Sequence, residues 1–135
     1  MYEMEIVFPG GARVDALFGG YRIQTDQKRP DGSPGEAPQP FDLFIASIGT
    51  CAGHYVRSFF ESRKLNTEGL KLSVRRTIDR ERKRVSKLTI EVILPADFPD
   101  KYREAVKRAV DLCAVTRHIL EPPEFETVVH KPDEN

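Results

Sequence analysis

The stretch that decides the fold is "FIASIGTCAGHY", residues 44–55, because the periodicity of the chain changes around it. Over residues 41 to about 63, apolar side chains recur three and four positions apart, which predicts a long helix. The first half of this helix has almost no polar face, so we expect that half to be buried on all sides. Gly49 and Gly53 flank Cys51 within it, although each glycine costs a helix interior about 1 kcal/mol relative to alanine.

Segments on both sides of this helix carry the pattern of β-strands. Residues 2–26 alternate apolar and polar side chains in three stretches separated by two glycine pairs, which predicts a meander of three antiparallel strands. Residues 69–79 and 84–94 alternate in the same way around a charged turn and predict a second pair of strands. A loop rich in proline and glycine, residues 27–40, separates the meander from the helix. Such long loops in small domains are often mobile or functional.

The C-terminal third predicts a second helix, from about residue 100 to Cys113, after the start signal "FPD". Thr116 can cap a short further turn, residues 117–120, which two prolines end. The segment "FETVV", residues 125–129, is typical of a last strand. The predicted order is therefore βββ, long helix, ββ, helix, β. We interpret this order as an α+β fold of antiparallel sheets with two central buried helices, in one domain over residues 1–135.

The composition excludes several classes of protein. Of the 135 residues, 39% are hydrophobic and 31% charged, and 21 basic residues balance 21 acidic ones. A net charge of zero argues against nucleic acid as the main partner, because nucleic-acid binding depends on many unopposed basic contacts. No run of about 18 apolar residues predicts a membrane span, and the N-terminus lacks the pattern of a signal peptide. We therefore expect a cytoplasmic protein that binds neither nucleic acid nor membranes.

The two cysteines, Cys51 and Cys113, lie 62 residues apart. In a reducing compartment such a pair is more often redox-active, metal-bound or simply buried than a structural disulfide. Both lie on apolar helical faces, and two such faces tend to pack together in a single core. If the two sulfur atoms lie within disulfide range, the pair could cycle between dithiol and disulfide. A thiol in an apolar helix is inert unless a cation stabilises its thiolate, and the candidate cations are Arg13, Arg22, Arg57 and Arg117.

The glycines around Cys51 allow two interpretations. Gly49 and Gly53 are four residues apart and therefore lie on one helical face. Their missing side chains would let a second backbone or a substrate approach the sulfur. The alternative is tight packing between helices, including packing across the axis of a dimer, and the two interpretations are compatible.

The segment "APQPFDLFIASIGTC", residues 37–51, followed by "DLCAVTR", residues 111–117, resembles the OsmC/Ohr family of thiol-dependent peroxidases. In that family a Pro-rich loop leads into a long central helix with the first cysteine, and the second cysteine ends a later helix. Ala114 and Thr116 depart from the proline and serine that are usual there. The resemblance covers nearly the whole chain. It implies the OsmC-like order βββ-α-ββ-α-β and an intertwined homodimer with a site at each subunit interface.

The resemblance also implies residue roles and a substrate. Cys51 would be the peroxidatic thiol and Cys113 the resolving thiol. Arg13, which follows the glycine pair in "GGAR", would be the catalytic arginine, with Arg22 as a weaker candidate. An organic hydroperoxide would oxidise Cys51 to a sulfenic acid, which Cys113 would convert to a disulfide. A small dithiol or a dithiol-bearing protein would then reduce the disulfide, with no metal and no bound cofactor, in oxidative-stress defence.

One position departs from the peroxidase pattern. The well-studied peroxidase branches carry, ten residues before the first cysteine, a glutamate that orients the arginine. This chain has Phe41 there, and the nearest acid is Asp42. Other branches of the family carry their acid at that second position, about 100° further around the helix. Asp42 is therefore the candidate for the orienting acid.

Two alternatives compete with the peroxidase hypothesis. Cys51, His54, Cys113 and His118 could supply metal ligands, but their spacing is unusual for a zinc site and no second CxxC or HxxxH exists. The stronger alternative is a protein of the same fold that binds an apolar small molecule or a partner, with two inert buried thiols. The presence of Phe41 in place of the acid favours this second alternative.

Overall fold

The structure is a computed structural model that describes residues 3–133. The strands in this range are β1 (Glu5–Gly10), β2 (Arg13–Phe18), β3 (Tyr21–Thr25), β4 (Lys71–Asp79) and β5 (Arg84–Ile93). The α-helices are α1 (Pro40–Ser62), α2 (Arg103–Asp111) and α3 (Ala114–Leu120), and a short 3-10 turn, Asp100–Tyr102, precedes α2. The α+β class and the order βββ-α-ββ-α are confirmed.

The chain divides into two compact units, each built from two segments. The first unit contains the residues up to Thr50 together with Ser73–Glu91, and the second contains Cys51–Leu72 together with the residues from Val92 onward. The prediction of one domain over residues 1–135 stays a prediction.

The first unit contains the predicted meander. Strand β2 pairs antiparallel with β1 on one side and with β3 on the other, in the order β1-β2-β3. Between β2 and β3 the turn residues Gly19 and Gly20 have φ angles of 52° and 80°, as a two-residue type I′ hairpin turn requires. This turn fixes the register, so that Leu17 lies opposite Arg22. Strands β4 and β5 form a separate two-stranded sheet.

The second unit contains an aromatic and aliphatic core. The second half of α1 buries Val56, Phe59 and Phe60, and α2 contributes Val106. The α1 residues are three and four positions apart, which places them on one helical face. The Phe60 ring stacks on that of Phe98 with a centroid distance of 5.3 Å. The partly buried side chains packed around this core are Leu65, Leu70, Leu72, Val92, Leu94, Phe98, Tyr102, Ala105 and Val110.

The second predicted helix is interrupted before its predicted end. Helix α2 ends at Asp111, and Cys113 has a non-helical backbone conformation, with φ −49° and ψ 121°. Cys113 is therefore the N-cap residue of α3, where we expected Thr116 to cap a turn. Thr116 lies inside the first turn of α3 instead. The second cysteine thus lies at a break between two helices rather than at the end of one continuous helix.

The last predicted strand, residues 125–129, is not formed in the described chain. This segment has no regular secondary structure, and the Phe125 and Val129 side chains are 86% and 88% exposed. A strand exists only when its backbone N–H and C=O groups pair with a neighbouring strand. The alternating sequence pattern predicts the tendency of this segment to form a strand, but it does not supply the pairing partner.

The expected burial of the first half of α1 on all sides is wrong for this chain. Ile48 is buried, but Phe41 and Phe44 are 46% and 41% exposed. Within a single chain, only one face of this segment is covered, and the apolar side chains on its other faces contact solvent. In the part of the chain that the structure describes, we find no helix that is both long enough and apolar enough to cross a membrane.

Candidate functional site

The two cysteines meet in the second unit. Cys51 lies in α1 and is partly exposed, whereas Cys113 lies at the start of α3 and is completely buried. The Cys51 thiol hydrogen-bonds to Cys113, and no disulfide joins the two. The structure therefore brings together the two thiols that the sequence analysis could only place on separate helices.

The local structure explains why these thiols meet. Cys51 immediately precedes Ala52 and is five residues before Val56, both of which are completely buried. Val106 of α2 packs in the same core as Val56. Because α2 ends two residues before Cys113, the packing of α1 with α2 holds the second cysteine close to the first.

The surroundings of Cys113 favour its thiolate. Burial raises the pKa of the Cys113 thiol, but hydrogen bonds from the backbone N–H of Thr116, from Cys51, from the Thr116 hydroxyl and from the backbone N–H of Val115 lower it. The net shift of the Cys113 pKa is downward from its usual value of 9.0. Sulfur is thus more readily ionised here than in an ordinary buried cysteine.

The candidate arginines Arg13 and Arg22 lie in the first unit, where they share one carboxylate. Nη2 of Arg13 donates to both oxygens of Asp15, at 3.1 and 3.2 Å. Nε of Arg22 donates to Asp15 Oδ2 at 2.9 Å. Burial raises the pKa of the Asp15 carboxyl, but the hydrogen bonds and charges of Arg22 and Arg13 hold it below its usual value of 3.8. Asp15 is therefore an ionised carboxylate between two guanidinium groups.

The register of the meander explains this cluster. Arg13, Asp15 and Leu17 alternate with other residues along β2 and lie on one face of the strand. Because Arg22 lies opposite Leu17, it is the diagonal neighbour of Asp15, at a separation that a long arginine side chain can span. The sequence analysis missed Asp15. A signal was present, because Asp15 stands in the apolar strand "RVDALF" and the two-glycine turn predicts its register.

The loop between β3 and α1 is tied at its base by Asp26, which is almost completely buried. The Asp26 carboxylate accepts the backbone N–H groups of Gln27 at 2.8 Å and Glu36 at 2.9 Å. These hydrogen bonds, with that of Glu36 the larger, hold the pKa of Asp26 below its usual 3.8. The backbone N–H of Asp26 also donates to the carbonyl of Pro38 at 3.1 Å. Asp26 therefore joins the beginning of the loop predicted over residues 27–40 to its end.

Asp42, the candidate orienting acid, lies in the first turn of α1. It accepts the backbone N–H of Gln39 at 3.3 Å and lies 3.9 Å from Nη1 of Arg76. Phe41 beside it lines an open groove of about 430 Å³, together with Arg76, Ile78, Lys83, Arg84 and Val85.

The remaining candidates have ordinary local contacts. Arg57 pairs with Glu61 at 2.9 Å, one turn further along α1. Arg117 and His54 are exposed, and Nδ1 of His118 lies 2.6 Å from the carbonyl of Ala114. Within residues 3–133, no group of three or more metal-ligand side chains is found, so the metal hypothesis gains no support.

Proteins of a known family share the sequence pattern and the fold of this chain. The family model for OsmC-like protein matches residues 32–128. No curated protein matches the sequence. Among solved structures, an OsmC-like protein from Mycoplasma pneumoniae is 9% identical with a TM-score of 0.70, over 90% of this chain and 89% of that one.

Two further solved structures have the same fold. The organic hydroperoxide resistance protein OsmC from Legionella pneumophila is 20% identical with a TM-score of 0.57, over 88% of this chain and 90% of that one. The organic hydroperoxide resistance protein OhrB of Bacillus subtilis is 13% identical with a TM-score of 0.51, over 87% and 90%. With most of its length matched by the family model, the chain belongs to the OsmC-like protein family.

Proposed function

We propose that this protein reduces organic hydroperoxides through Cys51 and Cys113, in defence against oxidative stress. The observation that carries the proposal is the contact between a partly exposed thiol and a buried thiol whose pKa is lowered. The names of the Legionella pneumophila and Bacillus subtilis proteins, which have the same fold, support the choice of substrate.

The proposed reaction balances as two thiols and one hydroperoxide giving one disulfide, one alcohol and one water. The Cys51 thiolate attacks the outer oxygen of the peroxide, so the O–O bond breaks and the alkoxide leaves and takes up a proton. The resulting Cys51 sulfenic acid reacts with the Cys113 thiolate, which forms the S–S bond and releases hydroxide. An external dithiol then reduces the disulfide by thiol exchange.

Arg13 is the proposed cation of this reaction. Its guanidinium would stabilise the Cys51 thiolate and the leaving oxygen, and Arg22 remains the weaker candidate. Both arginines are held by ion pairs with Asp15, and the choice of Arg13 is supported by its greater burial, with 21% of its side chain exposed against 49% for Arg22. Asp42 is the acid that the family pattern proposes for orienting this cation.

A homodimer is part of the proposal. Phe8, Phe125 and Val129 are at least 80% exposed in the single chain, and large exposed apolar side chains are typical of surfaces that a partner covers. Sedimentation should show a dimer at micromolar concentration. A monomer under those conditions would contradict this part.

The experiment for the reaction is stoichiometric. Reduced protein receives one equivalent of cumene hydroperoxide, and free thiols and intact mass are followed over seconds. We expect both thiols to disappear while the mass falls by two hydrogens. Thiols that persist for many minutes would refute the peroxidase proposal. Cys51→Ser is the matched control, because it retains Cys113 but removes the attacking sulfur.

A binding protein with inert thiols is the second candidate, and the groove beside Phe41 favours it. Three of its lining residues, Phe41, Ile78 and Val85, are apolar. A selective thiol probe at neutral pH separates the two candidates. Rapid labelling of Cys51 favours the peroxidase, and an unreactive Cys51 favours the binding protein.

A further inference from the structure

The carboxylate of Asp15 is the most enclosed charged group of the arginine cluster. Its side chain has no exposed surface, and both of its oxygens accept arginine N–H groups. A buried charge is tolerated only when it is paired and hydrogen-bonded. Asp15 therefore depends on Arg13 and Arg22, and the positions of both arginines depend on Asp15.

The N–H donors of Arg13 are unevenly used. Nη2 donates to Asp15, and Nη1 lies 3.9 Å from a carboxylate oxygen of Glu36, which is beyond hydrogen-bond distance. Nε is buried and has no partner among the described residues. A buried donor without an acceptor is unfavourable and rare in folded proteins. The cluster thus contains a fixed guanidinium whose N–H donors are only partly used by the described residues.

We propose that Asp15 is the positioning residue for Arg13, and that it holds the guanidinium beside Arg22 so that the N–H donors not used by Asp15 can serve the hydroperoxide. This inference rests on the proposed function. The family pattern gives the orienting role to Asp42, but Asp42 contacts Gln39 and Arg76, whereas Asp15 contacts Arg13 itself. It reaches Arg13 from the same strand, two residues away, instead of from α1.

The charge of Asp15 is what the positioning requires. Two guanidinium groups that share one carboxylate attract it and repel each other. Without the carboxylate charge, the repulsion between Arg13 and Arg22 would drive at least one side chain away from this arrangement. An uncharged side chain of the same shape should therefore abolish the positioning while preserving the packing.

The test uses Asp15→Asn in the full-length protein, with two readouts. The first is kcat/KM for cumene hydroperoxide, and the second is the rate of Cys51 alkylation by iodoacetamide as a function of pH, followed by mass spectrometry. We expect kcat/KM to fall about 10- to 100-fold and the alkylation profile to move up by about one pH unit. Asp15→Glu should recover part of both.

Two controls separate positioning from a structural role. In an Arg13→Lys background, Asp15→Asn should change kcat/KM by less than about twofold, because a residue that acts through Arg13 has no further effect once the guanidinium is gone. Asp79→Asn removes a carboxylate of the same unit that accepts the backbone N–H groups of Glu81 and Arg82 in the turn between β4 and β5, and it should lower the melting temperature without moving the alkylation profile.

The inference is overturned if Asp15→Asn alkylates with the wild-type pH profile, or if its effect adds in full to that of Arg13→Lys. Should Asp15→Asn fail to fold, Arg22→Lys decides, since it keeps the charge but loses the Nε donor to Asp15. We expect a smaller upward shift of the same profile, and no shift overturns the inference. Wild-type protein that consumes no hydroperoxide refutes the proposed function alone, because the alkylation profiles still decide on Asp15.

Discussion

A Cβ atom added to Gly49 would lie 2.8 Å from Cγ2 of Val74, which is closer than real side chains approach one another. Gly49 therefore allows α1 to pass β4 without a clash. A Cβ atom added to Gly53, one turn further along α1, would meet no neighbouring atom within 4 Å. The two glycines around Cys51 thus have different causes, and only the first is explained by packing within the described chain.

Gly49→Ala and Gly53→Ala form a matched pair of variants. We expect Gly49→Ala to lower the free energy of unfolding by about 1 kcal/mol, because overpacking against Val74 outweighs the gain in helix propensity. Gly53→Ala should raise it by up to about 1 kcal/mol. Urea denaturation measures both. Equal stabilisation by the two substitutions would contradict the packing role of Gly49.

Gly35→Ala should open the loop between β3 and α1. The added Cβ would clash with the carbonyl oxygen of Gln27 and would lie 2.8 Å from Cγ of Asp26. Since one of these atoms is backbone, we expect a loss of about 1–3 kcal/mol in the free energy of unfolding. Faster amide hydrogen exchange should follow at Glu36, whose N–H donates to Asp26. Gly32→Ala is the control, because its Cβ would meet no atom within 4 Å although its φ of 84° adds some strain. Unchanged exchange at Glu36 in Gly35→Ala would contradict this prediction.

Asp26 makes the stability of the folded protein depend on pH. Its pKa in the folded protein is lower than its usual value of 3.8, so its contribution is complete above about pH 3.8 and is lost as the pH falls through the folded pKa. Melting temperatures at pH 6 and pH 3 should therefore differ less for Asp26→Asn than for the wild type. The same difference in both proteins would show that Asp26 is not linked to stability in this range.

Cys113→Ser should stop the proposed reaction at its intermediate. Without the resolving sulfur, one equivalent of cumene hydroperoxide should leave Cys51 as a sulfenic acid, which dimedone traps as a single adduct. Mass spectrometry would detect it on the peptide that contains Cys51. Cys51→Ser should give no adduct. An adduct on Cys113 in the Cys51→Ser protein would reverse the proposed order of the two thiols.

Sequence pattern alone predicted most of the elements, because periodicity reports directly on which faces are apolar. The helix expected over residues 41–63 is α1, Pro40–Ser62, and the meander has its three strands. The contact between Cys51 and Cys113 was expected only conditionally, since it depends on how α1 and α2 pack. Asp15 was missed because its role depends on strand register and not on any motif.

Two expectations failed for a common physical reason. The strand-like pattern of residues 125–129 and the apolar first half of α1 both predict contacts with other surfaces. A sequence shows that a surface is suited to pairing or burial, but not whether the same chain provides the partner. Phe44 and Val129 therefore remain exposed in a single chain although their patterns are those of buried elements.

The position of Cys113 between α2 and α3 has a consequence for chain topology. A Cys51–Cys113 disulfide would close a covalent ring across the 62-residue separation of the two cysteines. Closing a loop of this length restricts the unfolded chain and favours the folded state by about 4 kcal/mol in the chain-entropy model. The oxidised protein would then melt at a higher temperature than the reduced one. The external reductant would therefore have to break a bond that also stabilises the folded protein.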